Sequence, residues 1–293
     1  MTKRLSKADR SRPTRWVGRL LTLGPGGLYL TLFLAVPLAV IVTYSFMRRG
    51  TFGGVVYQPT LENYRRAVDP LFLRILWDSV RIGGLTTLLA LLIGYPAAFA
   101  ITKLPTRWRL PALVAIVLPF WSNFLIRTYA WIVLLNREGI LSKALRAVGL
   151  TDEPVGFLYN RGSVVVGLLY AYLPLMILPL YAALDRIDPA LDEASADLGA
   201  KPWRTFIRVT VPLSLPGMTA GSIFVFVPSI GNFVVPELLG GGQAVMVGNL
   251  IRDQFLRARD WPFGAVLSLS IVGLMMILLV VQAVQLKRTR AHA

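Results

Sequence analysis

Six stretches of about twenty residues, almost free of charge, punctuate this sequence, and a water-soluble fold has nowhere to bury that many of them. They lie at residues 28–46, 79–101, 110–135, 162–183, 217–239 and 264–286. A soluble core would show polar and apolar residues alternating at the period of a strand or a helix, and these runs do not. The first of them reaches roughly 28 Å as a helix, enough for one crossing of the hydrocarbon layer. Composition agrees, with 55% hydrophobic residues, 16% charged and a mean hydropathy of +0.61. The expected fold class is an all-α membrane protein of six transmembrane helices.

An even number of spans puts both termini on one side. If that side is the cytoplasm, the inside segments hold 17 Lys or Arg and the outside segments, slightly longer in total, hold 12. Seven of the 17 precede the first span, so the positive-inside bias favours cytoplasmic termini. The net charge of +16 is thereby read as topology and lipid contact, with no nucleic-acid partner, because no basic stripe interleaved with aromatics lies outside the apolar runs. The first run lacks a clear cleavage site and is expected to be retained. The expected organisation is a basic tail at 1–25, then a first span and outer loop at 26–78, with Gly24, Pro25, Gly26 and Gly27 breaking the chain where the two meet. A membrane core follows at 79–286 and a short tail at 287–293. The outer loop at 47–78 carries turn residues and then a short helical pattern, which predicts that it folds against the mouth of the bundle.

Several chemistries are excluded by inventory. The sequence has no Cys, and its one His is His292, so a thiolate or His-ligated metal and a His-based triad are out. Gly240 to Gly242 lacks the Lys of a phosphate-binding loop and reads as a turn. The chain is not expected to be an enzyme or to bind a cofactor.

The inner loop at 185–216 is the most informative segment. Asp188 can cap a helix whose first position is Pro189, where the missing amide proton costs nothing. Asp192 and Glu193 suit the positive end of that helix, and Gly199 ends it. Lys201 and Pro202 open a second short helix through Trp203, Phe206 and Ile207, which Pro212 and Pro216 are expected to stop. A stiff helix–turn–helix between two spans can transmit force from a motor to membrane helices. The competing reading is an amphipathic loop lying on the lipid surface.

These residues resemble the EAA loop of ABC importer permeases, whose pattern is Glu-Ala-Ala, three residues, Gly, nine residues, then Ile, any residue, Leu-Pro. Here Glu193, Ala194 and Ser195 are followed by Gly199 and then by Val209, Thr210, Val211 and Pro212. Ser replaces the second Ala and Val replaces Ile and Leu, changes small in volume. The resemblance implies a type I ABC importer permease whose Glu193, Ala194, Gly199, Lys201 and Pro202 couple it to an ATPase. The segments LENYRRAVDP, GYPAAFAITKLP, LPFWSNFLIRTYAW, LDEASADLGAKPW and RDWPFGA are further similar to the permeases of spermidine and putrescine importers. That likeness implies a second related permease, a pair of ATP-binding subunits that hold ATP and Mg, and a periplasmic substrate-binding protein. Related permeases also serve opines and aminophosphonates.

Ionisable and polar groups inside apolar runs are the candidates for a translocation path. Asn123 and Arg127, four apart, are expected to share a helix face bordered by Ser122; packing glue or an outward-snorkelling Arg is the other reading. In the fifth run Pro228, Gly231, Asn232 and Pro236 interrupt the helix, as in spans that line translocation sites. Glu237 there either attracts a cationic amine or meets headgroups. A secondary transporter is the rival class, but it commonly carries paired intramembrane acids and two similar halves, which are not evident here.

Overall fold

The structure, a computed structural model, describes the backbone of residues 12–291 and the side chains of residues 24–282. Most of the expected basic tail at 1–25, and the side chains of the tail at 287–293, lie outside the described residues. The chain forms α1 (Arg12–Ser45), a small antiparallel hairpin of β1 (Arg48–Arg49) and β2 (Val55–Val56), α2 (Glu62–Ala67), α3 (Pro70–Thr102), α4 (Thr106–Val117), α5 (Phe124–Leu135) and α6 (Ile140–Ala147). It continues through α7 (Arg161–Leu184), α8 (Ala190–Asp197), α9 (Pro202–Thr205), α10 (Val211–Gly231), α11 (Val234–Gly240), α12 (Val247–Leu256) and α13 (Trp261–Ala291).

Five of the described helices are long and apolar enough to cross a membrane, and a sharply bent pair supplies the sixth span. Three expectations are corrected. The Gly24–Gly27 stretch does not break the chain: α1 runs through it with Pro25 and Pro37 inside. In hydrocarbon a frayed backbone would leave its N–H and C=O groups unpaired, so the helix is kept despite its Gly and Pro content. The third run is not one straight span, because Thr106–Trp121 and Phe124–Ala147 meet at 89°. Nor do Pro212 and Pro216 stop the loop's second helix. A π-turn at Phe206–Thr210 joins α9 to α10, so one helical rod extends from Pro202 to Gly231. The wider turn gives the ring of Pro212 room against the carbonyl of Arg208, which a regular helix would not.

The core is the bundle of α3, α7 and α10, buried around Ala90, Ala98, Met176, Leu180 and Val225. Small residues let the backbones approach. A Cβ at Gly217 would lie 2.5 Å from that of Ala183 and 2.7 Å from the Pro179 carbonyl oxygen, and one at Gly221 would lie 2.7 Å from Met176 Sδ. This small-xxx-small stripe on α10 seats it on α7 where apolar attraction between helices is absent. α1 packs on α13 and leaves its apolar window exposed to lipid.

The expected outer-loop packing is present. Asn63 donates to the carbonyls of Ser45 and Met47 at 3.2 and 2.8 Å. Arg66 pairs at 2.9 Å with Asp260, whose side chain is 1% exposed, and stacks 4.1 Å from the centroid of Phe263. Asp69 then caps α3 by accepting from Leu71 N, with Pro70 in the first turn, so the span begins nine residues before the apolar run does.

Candidate functional site

Two features carry the candidate chemistry, one at each break in the apolar pattern. The first is the α8–α9 hairpin. Asp188 accepts from Ala190 N at 2.9 Å, as its capping role requires, and the helix proper starts at Ala190. At the other end Gly199 has φ +78°, and its amide donates to Ala196 while Ala200 donates to Ser195. This is a Schellman closure, which needs a left-handed residue at that position. Lys201 takes the extended cap position of α9 and Pro202 its first turn. The Ser195 and Thr205 hydroxyls lie 2.8 Å apart, tying α8 to α9 at the position where Ser departs from the family pattern.

The hairpin is fastened to the core at its base. Lys103 pairs with Asp192 at 3.3 Å, and Arg109 pairs with Asp185 at 2.9 Å while donating to the carbonyls of Thr102 and Leu104. Phe206 stands edge-on to both Tyr95 and Phe99, with centroids 5.6 and 5.5 Å away. Exposed ion pairs are worth about 0–1 kcal/mol each. Each aromatic pair adds about 0.5–1.5 kcal/mol beyond its buried area, so the Phe206 wedge is the stiffer attachment. Glu193, Ala194, Lys201 and Pro202 are exposed, and beside them Leu198 is 88% exposed and Trp203 58%. That is an apolar tip with a polar rim, held rigidly.

The second feature is a cavity of about 630 Å³ between the bend of the third span and the break after α10. Phe120, Phe124, Arg127, Tyr172, Asn232 and Phe233 line it. Arg127 and Asn232 are thus brought together from distant runs. Asn232 ends α10, donates to the Tyr172 hydroxyl at 2.7 Å and accepts from Val235 N at 2.9 Å, which starts α11. The Arg127 guanidinium donates to the Pro119 carbonyl at 2.9 Å and faces the rings of Phe120, Phe124 and Tyr170 at 5.4, 5.9 and 6.0 Å.

The other two path candidates are placed elsewhere. Asn123 lies outside α5 and caps it: its side-chain oxygen accepts from Leu125 N and Ile126 N, and its backbone carbonyl accepts from Arg127 N one turn on. Ser122 does border the cavity. Glu237 sits on α11 outside the cavity, hydrogen-bonded to Arg252 of α12 and 3.7 Å from Arg257, so its charge is already engaged. Tyr172, Phe120 and Phe124 were missed by the sequence reading. Tyr172 carries one of the few polar groups in the fourth run, which was the available signal.

Comparisons with known proteins bear on the family and the fold. The chain matches the family described as binding-protein-dependent transport system inner membrane component over residues 15–291. It is 40% identical over 253 residues to the spermidine/putrescine transport system permease protein PotB of Haemophilus influenzae, covering 86% of this chain and 88% of that one. PotB of Escherichia coli K12 is 39% identical over 86% of this chain and 92% of its own length. The Escherichia coli inner membrane ABC transporter permease protein YdcU is 32% identical, covering 85% and 83%. Among solved structures, a chain of a bacterial alginate ABC transporter bound to its alginate-carrying periplasmic protein superposes with a TM-score of 0.74 at 17% identity, covering 93% of this chain and 96% of that one. The fold is therefore that of ABC importer permeases. With 93% of the chain superposed on that fold and residues 15–291 matched, this multi-pass protein belongs to the family of binding-protein-dependent transport system inner membrane components.

Proposed function

We infer that this chain is one permease subunit of an ATP-driven importer of polyamines of the spermidine and putrescine type. The observation that carries the reading is the α8–α9 hairpin, which presents Glu193, Ala194, Leu198 and Trp203 while Phe206 anchors it in the α3–α7–α10 core. A partner that grips this tip would move α10 directly, since α9 and α10 form one rod. ATP and Mg are held by separate ATP-binding subunits, a second permease completes the path, and a periplasmic protein delivers the solute. Both termini and the hairpin face the cytoplasm, in line with the charge bias of the loops. The solute class rests on likeness to relatives named for spermidine and putrescine transport.

One observation favours a different solute. Arg127 is the charged residue of the cavity, and the nearby acid Glu237 is taken by Arg252. That suits an anionic or zwitterionic molecule such as an aminophosphonate. Labelled spermidine uptake into proteoliposomes holding the complete assembly, with and without internal ATP and against a panel of competitors, separates the readings. ATP-dependent uptake competed by putrescine supports the polyamine reading. Uptake competed only by another solute leaves the permease reading and removes the polyamine; solute movement without ATP removes both.

A further inference from the structure

We propose that the Pro119 carbonyl and the rings of Phe120, Phe124 and Tyr170 form a binding station for organic cations, and that Arg127 is its tethered occupant when no solute is present. This deepens the polyamine reading, on which the identity of the incoming cation rests.

The argument starts from the charge. Arg127 is half-buried within an apolar span, and none of the described Asp or Glu side chains pairs with it. An intramembrane cation is costly, so whatever surrounds it must offset that cost. Three aromatic faces at 5.4 to 6.0 Å and one carbonyl at 2.9 Å do so. These groups select positive charge without fixing its geometry, and the same set accepts an alkylammonium as readily as a guanidinium.

The site's position matters as much as its composition. Pro119 lies in the 3₁₀ turn of Leu118–Trp121, which ends the first half of the broken third span, so the carbonyl dipole of that half-helix points its negative end at the guanidinium. The C-terminal end of α10, at Gly231, opens onto the same cavity. The carbonyls of Gly231 and Asn232 turn toward Gly248 of α12, so the oxygen of the station is supplied by the Pro119 end of the third span. A side chain that carries its own cation into this station blocks solutes with no charge to exchange for it. A polyamine brings an ammonium that replaces the guanidinium, and Arg127 swings away with its own charge repelled.

The test uses the full assembly of both permeases and ATP-binding subunits in nanodiscs, without the periplasmic protein, and measures binding of labelled methylguanidinium and labelled spermidine. Arg127→Ala and the longer, polar but uncharged Arg127→Gln are expected to bind both cations about three- to tenfold more tightly than the wild type. Phe120→Leu added to either variant is expected to reverse the gain, and Arg127→Lys, which keeps a tethered cation, to show none. Unchanged methylguanidinium binding in Arg127→Ala and Arg127→Gln overturns the proposal. So does an aminophosphonate that binds the wild type but not these variants, because Arg127 would then be an anion ligand. If wild-type vesicles import no polyamine while Arg127→Gln still gains methylguanidinium, the station stands and the polyamine reading falls.

Discussion

Gly199 separates two explanations of why the α8–α9 hairpin carries glycine: the backbone needs it, or a partner needs the space. Its φ is +78°, and nothing lies within 4 Å of where a Cβ would be. Inside this chain the cost of Gly199→Ala is therefore conformational alone, about 1–2 kcal/mol for an L-residue held left-handed. Since 1.4 kcal/mol is a factor of ten, the fraction of opened turns rises roughly 5- to 30-fold. Asn tolerates the left-handed region better than Ala although it is larger, and a β-branched residue tolerates it worst. The expected order of turn stability is Gly, Asn, Ala, Val. Hydrogen exchange at residues 199 and 200 reads it, because both amides donate in the closure and are released when it opens. Coupling, measured as solute imported per ATP hydrolysed by the full assembly, should follow the same order. Asn performing worse than Ala in that ratio, with exchange unchanged across the series, would show that the partner's packing excludes a side chain and that the turn geometry is not what matters.

Other substitutions probe the frame. Gly221→Leu forces a side chain against Met176 and should lower the thermal midpoint of the purified chain by the equivalent of about 1–3 kcal/mol, whereas Gly231→Ala, with open space around it, should not. Arg66→Ala leaves the buried Asp260 carboxylate with only the Phe263 amide, at a cost of about 1–3 kcal/mol. Faster protease nicking within residues 47–69 would reveal it, and an unchanged cleavage rate would count against the clamp. Glu237→Gln should leave the half-saturating polyamine concentration within about twofold, because this carboxylate serves Arg252 and not the cavity. A larger change in uptake assays would restore it to the path.

The apolar runs located all six spans because in lipid every span must be long, helical and uncharged. The hairpin was legible for a different reason: Asp188, Gly199 and Lys201–Pro202 are local signals whose meaning depends on backbone geometry a few residues away. Hydropathy could not show the bend at Ser122–Asn123, since both halves are equally apolar; the cap at Asn123 and the Pro119 turn before it were its only marks. Pro212 and Pro216 misled because a π-turn can absorb what a regular helix cannot. The cavity was half legible. Arg127 and Asn232 stood out as polar groups, but Tyr172 meets Asn232 across 60 residues, and no sequence pattern encodes that meeting. α12 also escaped, lying in a stretch read only as an outer connection.

The pairing of α1 with α13 has a consequence for biosynthesis. Among the described spans α1 leaves the ribosome ahead of the core helices and its packing partner α13 after them, with more than two hundred residues between Ser45 and Trp261. At about 5–20 residues per second, α1 waits on the order of 10–40 s in lipid before that partner is made. Throughout that interval the side of α1 that will meet α13 faces lipid. Docking of α13 is thus a late step, which fixes α1 against the bundle only after the α3, α7 and α10 core has been made.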